Sequence, residues 1–166
     1  MDAFPTQTDS DGRTQTKCVD DLRGEDLSRL NDLLPWQWFT LDLHGRRFGE
    51  QVSSKKRNLP QPIPDHRITE LNRLFPLGGL SVLEVGCFEG VHNIALAGYG
   101  AKVIGLDSRL ENVAQTMVRS WSFGFEPTVF KRDVDQEVDF AKVPEVDMTH
   151  DRGVLYHLVD PVTHLQ

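Results

Sequence analysis

LSVLEVGCFEGVHNIALAGYGAKVIGLD, residues 80–107, is the stretch on which the fold turns. It opens with an apolar run, Ser81-Val82-Leu83-Glu84-Val85, that reads as a buried strand. A turn with glycines at Gly86 and Gly90 follows, then a small-residue helical pattern in which Val91, Ile94 and Ala95 share a face. Gly98-Tyr99-Gly100 stops that helix, and a second apolar run, Val103-Ile104-Gly105-Leu106, ends on Asp107. The order describes one βαβ unit with a carboxylate at the tip of its second strand. Open α/β sheets bind ligands at the carboxyl ends of their strands, and an acid in that position suits two ribose hydroxyls.

Downstream the alternation continues. Ser108 with Glu111 three residues on reads as a capping box, and Leu110, Val113, Ala114 and Met117 form the apolar face of the helix it starts. Further strands are expected at about 128–131 and 146–150, with another helix beginning at Asp160-Pro161. Strands alternating with helices predict an α/β fold, a Rossmann-like doubly wound parallel sheet of strand order 3-2-1-4. Four strands fall short of a full sheet of this kind. The chain is therefore expected to be truncated before strands five to seven, with a partner or a missing C-terminal segment completing the sheet.

Upstream, residues 1–20 are polar and read as a disordered tail. Residues 21–79 read as an N-terminal helical and hairpin cap on the domain at 80–166. Within the cap, a helix over Asp21–Leu34 ends at Pro35, and residues 35–43 form a strand or hairpin arm with a turn at His44-Gly45. Trp36 and Trp38 read as core or lid anchors. A proline-rich loop at 59–64 leads into a helix carrying Ile68, Leu71, Leu74 and Phe75, stopped by Pro76 and Gly78-Gly79.

Composition narrows the class. A chain of 166 residues with a formal net charge of −7 is long enough for one core, and its charge argues against binding nucleic acid by electrostatics alone. The basic run Lys55-Lys56-Arg57 reads as a solvated loop. No apolar run approaches a membrane span, the N-terminus lacks the pattern of a secretory signal, and two cysteines make no disulfide framework, so the cytoplasm is expected. The six histidines are scattered without paired spacing, and no metal is expected.

The chemistry lies in Glu84-x-Gly86-x-x-x-Gly90. Gly86 allows close approach of the backbone to a ligand, and Gly90 a tight turn into the helix, whose free N–H groups suit a carboxylate. Phe88 stands where a dinucleotide fingerprint has its middle glycine, which disfavours a pyrophosphate. Glu84 suits an ammonium and Asp107 a ribose. Structural readings stand beside these: Glu84 as a turn cap, Asp107 as the acid at a helix N-terminus, Asp133 as a turn former. His92 reads as a packed or solvent-facing residue, and Cys87 as a small buried apolar one, not a nucleophile.

The run Leu83–Gly90 resembles motif I of the class I S-adenosylmethionine (SAM)-dependent methyltransferases, and Val103–Asp107 resembles their second-strand acid. Arg132-Asp133-Val134 is similar to the acid after strand three that meets the adenine amino group. Gly153-Val154-Leu155-Tyr156-His157-Leu158-Val159-Asp160-Pro161, with His164-Leu165, resembles the motif after strand four in the subset containing the wobble-uridine tRNA methyltransferase/carboxymethyltransferase family. Gly90-Val91-His92 is similar to that subset too. The resemblance covers residues 80–166. It implies a SAM cofactor held by Glu84, Gly86, Cys87, Phe88, Gly90, Asp107, Ser108 and Asp133. The basic, Trp-rich segment expected before motif I is not recognisable around 47–57.

The expected function is methyl transfer from SAM to an acceptor that is a small molecule or RNA, with this chain the N-terminal part of the enzyme and no membrane involved. SAM already carries an activated methyl, so the protein mainly aligns the acceptor and excludes water. His157 and Tyr156, with His150, sit where strand four delivers residues to the cleft and are the candidates for a general base. Two alternatives remain: a non-catalytic SAM- or nucleoside-binding module, and a fragment of an NAD-dependent oxidoreductase.

Overall fold

A computed structural model describes residues 23–41, 47–49, 59–135 and 143–165. The 1–20 tail, the His44-Gly45 turn and the Lys55-Lys56-Arg57 run lie outside the described residues. Two short strands, β1 (Thr40–Leu41) and β2 (Arg47–Phe48), pair antiparallel as the expected hairpin. The main sheet consists of β3 (Ser81–Val85), β4 (Lys102–Asp107), β5 (Thr128–Lys131) and β6 (Met148–Asp151). Every pairing in it is parallel, in the order β5-β4-β3-β6, which is the 3-2-1-4 order expected.

Among the described residues these strands are accompanied by the α-helices α1 (Gly24–Leu33), α2 (His66–Leu74), α3 (Val91–Gly98), α4 (Leu110–Ser122) and α5 (Pro161–His164). Residues 80–107 thus fold as β3-α3-β4. Strand β3 is central and nearly all buried, which is why its sequence is a continuous apolar run rather than an alternating one. One face of the sheet packs Val82 against Ile68, Leu77, Ala95, Leu96 and Ala101. The other packs Leu83, Val85 and Leu106 against Val134, Val146 and Val154.

Helix α4 departs from the sequence reading. Leu110 and Met117 are 61% and 45% exposed, while Thr116, Arg119 and Ser120 are buried. No capping box forms: the N-cap is Arg109, with no side-chain bond, and the helix begins at Leu110 rather than Ser108. A polar face turns inward because a buried ion pair waits there for Arg119. Trp36, buried beside Leu27, lies under the Arg119 guanidinium at 4.9 Å, a cation–π contact joining the segment after α1 to α4.

Candidate functional site

A cleft of about 860 Å³ opens at the carboxyl ends of the main strands. That is within the range of small-molecule sites. Of the predicted residues, Glu84, Gly86, Cys87, Phe88, Asp107, Ser108, Asp133, Tyr156 and His157 all line it. Gly90 and His150 do not, and Trp38 and His92 do.

Asp107, at the tip of β4, is 8% exposed and organises the floor. Its Oδ2 accepts the Phe88 N–H at 2.9 Å, and its Oδ1 accepts the Arg109 N–H and the Asn112 amide, each at 2.9 Å. Asp107 thus ties the turn before α4 to the helix through the Arg109 N–H and the Asn112 side chain, and Ser108 stays exposed on the cleft wall. A carboxylate has about four acceptor positions, so three donors leave room for a ligand hydroxyl. Both readings of Asp107 are compatible in one side chain.

The motif turn runs through left-handed backbone at Gly86 (φ 70°), Phe88 (φ 50°) and Gly90 (φ 78°). A Cβ on Gly86 would meet Val154 Cγ2 at 2.3 Å, so the close approach this glycine allows is to Val154 on the cleft wall. A Cβ on Gly90 would lie 3.0 Å from Thr116, so that glycine brings the start of α3 against α4. Phe88 occupies the conformation a glycine prefers, at a cost of about 1–2 kcal/mol. Its ring meets Trp38 edge-on, 5.6 Å between centroids, closing one side of the cleft with aromatic surface. Cys87 is 2% exposed with a free thiol, which burial pushes up, consistent with a packing role.

Glu84 is 3% exposed, and its Oε2 is buried without a hydrogen-bond partner. Burial raises its carboxyl to about 8, with the Asn93 amide opposing and the Asp107 charge adding. Glu84 is therefore mostly protonated at neutral pH, and pairing with a cation favours its ionised form. Such an orphaned buried carboxyl, beside a ribose-type acid, fits a nucleoside carrying an ammonium group.

The scatter of histidines along the chain does not persist in space. Parallel register sets Glu84 beside His150 on β3 and β6, and the first turn of α3 brings His92 to them, so that these three side chains cluster. Burial lowers His92, and burial with the neighbouring His92 lowers His150 to about 4.

Sequence reasoning missed two residues that hold the cleft wall. Glu89 accepts the Gln37 N–H at 2.5 Å and the Trp38 N–H at 3.1 Å, fastening the cap strap beside the motif. Arg119, fully buried, donates to the Glu89 carboxylate at 3.3 Å, to the Glu89 carbonyl at 2.6 Å and to the Trp38 carbonyl at 2.9 Å. Burial pulls the guanidinium down to about 10 against the opposing Glu89 charge. At the rim, Asp133 Oδ1 accepts the Asp135 N–H, the turn role read for it. The Tyr156 and His157 rings lie 4.2 Å apart, with Tyr156 78% exposed.

The order of strands, the acid at the tip of β4 and the glycine turn before α3 define a nucleoside-binding Rossmann-like α/β domain. Comparison with known proteins narrows that class. The chain is 34% identical over 163 residues to the tRNA U34 carboxymethyltransferase of Methylococcus capsulatus, a match covering 95% of this chain and 44% of that protein. It is 29% identical over 96 residues to the ubiquinone biosynthesis O-methyltransferase of Cereibacter sphaeroides, covering 58% of this chain and 38% of the relative. Among solved structures, the N-terminal domain of EvdMO1 with SAH bound superposes with a TM-score of 0.68 at 28% identity, over 85% of this chain and 58% of that one. No protein-family model matches the chain. Over the segment these matches span, the chain is similar in sequence and fold to class I SAM-dependent methyltransferases. It spans less than half the length of these two curated relatives.

Proposed function

We propose that this chain is the SAM-holding segment of a methyltransferase. The observation that carries the reading is the meeting in one cleft of Asp107, with acceptor capacity left for a ribose, and the buried Glu84 carboxyl, whose Oε2 has no hydrogen-bond partner and suits the ammonium. Asp133 borders the same cleft where an adenine amino group would lie. SAM supplies a methyl already activated on its sulfonium; the chain's own residues hold the donor, shield it and present the acceptor. The Trp38–Phe88 wall excludes water from one side. In this reading His157 and Tyr156 take the acceptor side, with His157 the proton acceptor where the acceptor needs one.

Exposed Arg109, Arg132 and Arg152 also line the cleft, which favours an acceptor with a phosphate or carboxylate, whether RNA or a small molecule. The tRNA named for the Methylococcus relative is one such acceptor. Strand β6 is an outer strand among the described residues, and Tyr156, Val159, Val162 and Leu165 beside it are mostly exposed. A partner or a further chain segment covering that edge completes the sheet in this proposal. No described helix is long and apolar enough to cross a membrane, and the free thiol of Cys87 favours a reducing compartment such as the cytoplasm.

Isothermal titration with S-adenosylhomocysteine (SAH) tests the reading. The expected result is saturable binding of one equivalent, weakened by about 10-fold or more in Asp107→Ala as its charged hydrogen bonds to the ligand are lost. No binding by the folded wild type overturns it.

A further inference from the structure

Within the described residues, one cluster of potential metal ligands borders the cleft and shares Glu84 with the proposed methyl-donor site. Glu84 on β3, His150 on β6 and His92 on the first turn of α3 each offer a ligand atom, and these atoms all lie within 4.8 Å of one another. We propose that Glu84, His92 and His150 form a binding site for a divalent transition cation of the zinc type.

Register supports the placement first. Glu84 and His150 are paired residues on neighbouring parallel strands, so their side chains share a face of the sheet, and α3 crosses that face. The imidazole spacing is the second support: His92 Nδ1 and His150 Nε2 are 3.3 Å apart. Two nitrogens bound to one tetrahedral ion at the usual 2.0–2.1 Å lie about 3.3 Å from each other. Third, the Glu84 Oε2 is buried without any hydrogen-bond partner, a position that a cation would satisfy.

Asp65 completes the arrangement. It is 4% exposed, held by Arg67 through its backbone N–H and guanidinium, and its Oδ2 lies 3.6 Å from His92 Nε2. Carboxylates in this position orient the far N–H of a ligating histidine. Arg152 also reaches His92 Nε2, at 3.1 Å, and as an obligate donor it sets the ring proton on Nδ1. Ligation through Nδ1 places the proton on Nε2 instead, where Asp65 accepts it and exposed Arg152 turns to solvent. Two imidazoles and one carboxylate suit Zn²⁺, Co²⁺, Ni²⁺ or Fe²⁺ and not Mg²⁺ or Ca²⁺, which take oxygen ligands.

Co²⁺ reports the site through its visible absorption. The test titrates Co²⁺ into the chelator-treated protein, freed of bound nucleoside because Glu84 also faces the cleft. Expected are one equivalent bound with tetrahedral-type absorption, loss of that signal in His92→Ala and His150→Ala, and about 10- to 100-fold weaker binding in Asp65→Asn. Mg²⁺ does not displace it and Zn²⁺ does. Circular dichroism checks that each variant folds; should the alanine variants unfold, X-ray absorption on the wild type reads two imidazole nitrogens and one oxygen around the ion. No absorption band, a band unchanged in folded His150→Ala, or a shell without imidazole nitrogens overturns the proposal. SAH titration without metal is a separate experiment, so failure here leaves the methyl-donor reading standing.

Discussion

Glu84 gives the proposed ligand site a proton signature. With its carboxyl at about 8, roughly nine-tenths of the molecules hold that proton at pH 7. An ammonium group pairs with the carboxylate and not with the acid, so binding SAH must drive the proton out. About 0.9 proton should be released per SAH bound at pH 7, and the ionisation costs about 1.4 kcal/mol of binding, a factor near ten. Calorimetry at pH 7 in two buffers, one of small and one of large ionisation enthalpy, reads the release from the difference in apparent binding enthalpy. Glu84→Gln has no proton to lose, so its enthalpy should be independent of buffer. A buffer-independent enthalpy in the wild type, or an unchanged dependence in Glu84→Gln, refutes the pairing of Glu84 with the ligand.

Replacing Phe88 by Gly and by Ala should invert the usual order: at φ 50° the Gly variant should be about 1 kcal/mol more stable than the Ala variant by chemical denaturation, because only Ala keeps the left-handed strain. Arg119→Met should cost about 3–5 kcal/mol and loosen the strap at Gln37 and Trp38, seen as faster amide exchange there, because it strands the buried Glu89 charge. Because Glu84 is raised to about 8 from its ordinary 4.5, the folded state holds the extra proton between those values and stability falls as pH rises through them. From pH 6.5 to 8 the wild type should lose about 1–2 kcal/mol that Glu84→Gln does not lose. His150 has the opposite sign: lowered to about 4 from 6.5, it contributes stability above pH 6.5 that is lost as pH falls towards 4.

The parallel sheet was legible because its strands are short apolar runs, and their alternation with helical periods leaves few topologies open. Ser81–Val85 and Thr128–Lys131 fall where the sequence places them. Asp107 was legible as a ligand acid, but its hold on Phe88, Arg109 and Asn112 was not, since those donors are fixed by the turn rather than by residue type. The face of α4 was misread because apolar periodicity assumes an apolar interior, whereas Glu89 makes this one polar around Arg119. The Glu84–His92–His150 cluster left no trace in the spacing, because its members come from a central strand, a helix start and an outer strand. Only the register between β3 and β6 brings them together.

Tryptophan fluorescence tests the central claim most directly, because Trp38 lines the cleft against Phe88. Titration with SAH should change the emission saturably at one equivalent, and NADH at the same concentrations should leave binding of SAH unaffected. A saturable response to NADH, with none to SAH from the folded chain, contradicts the account.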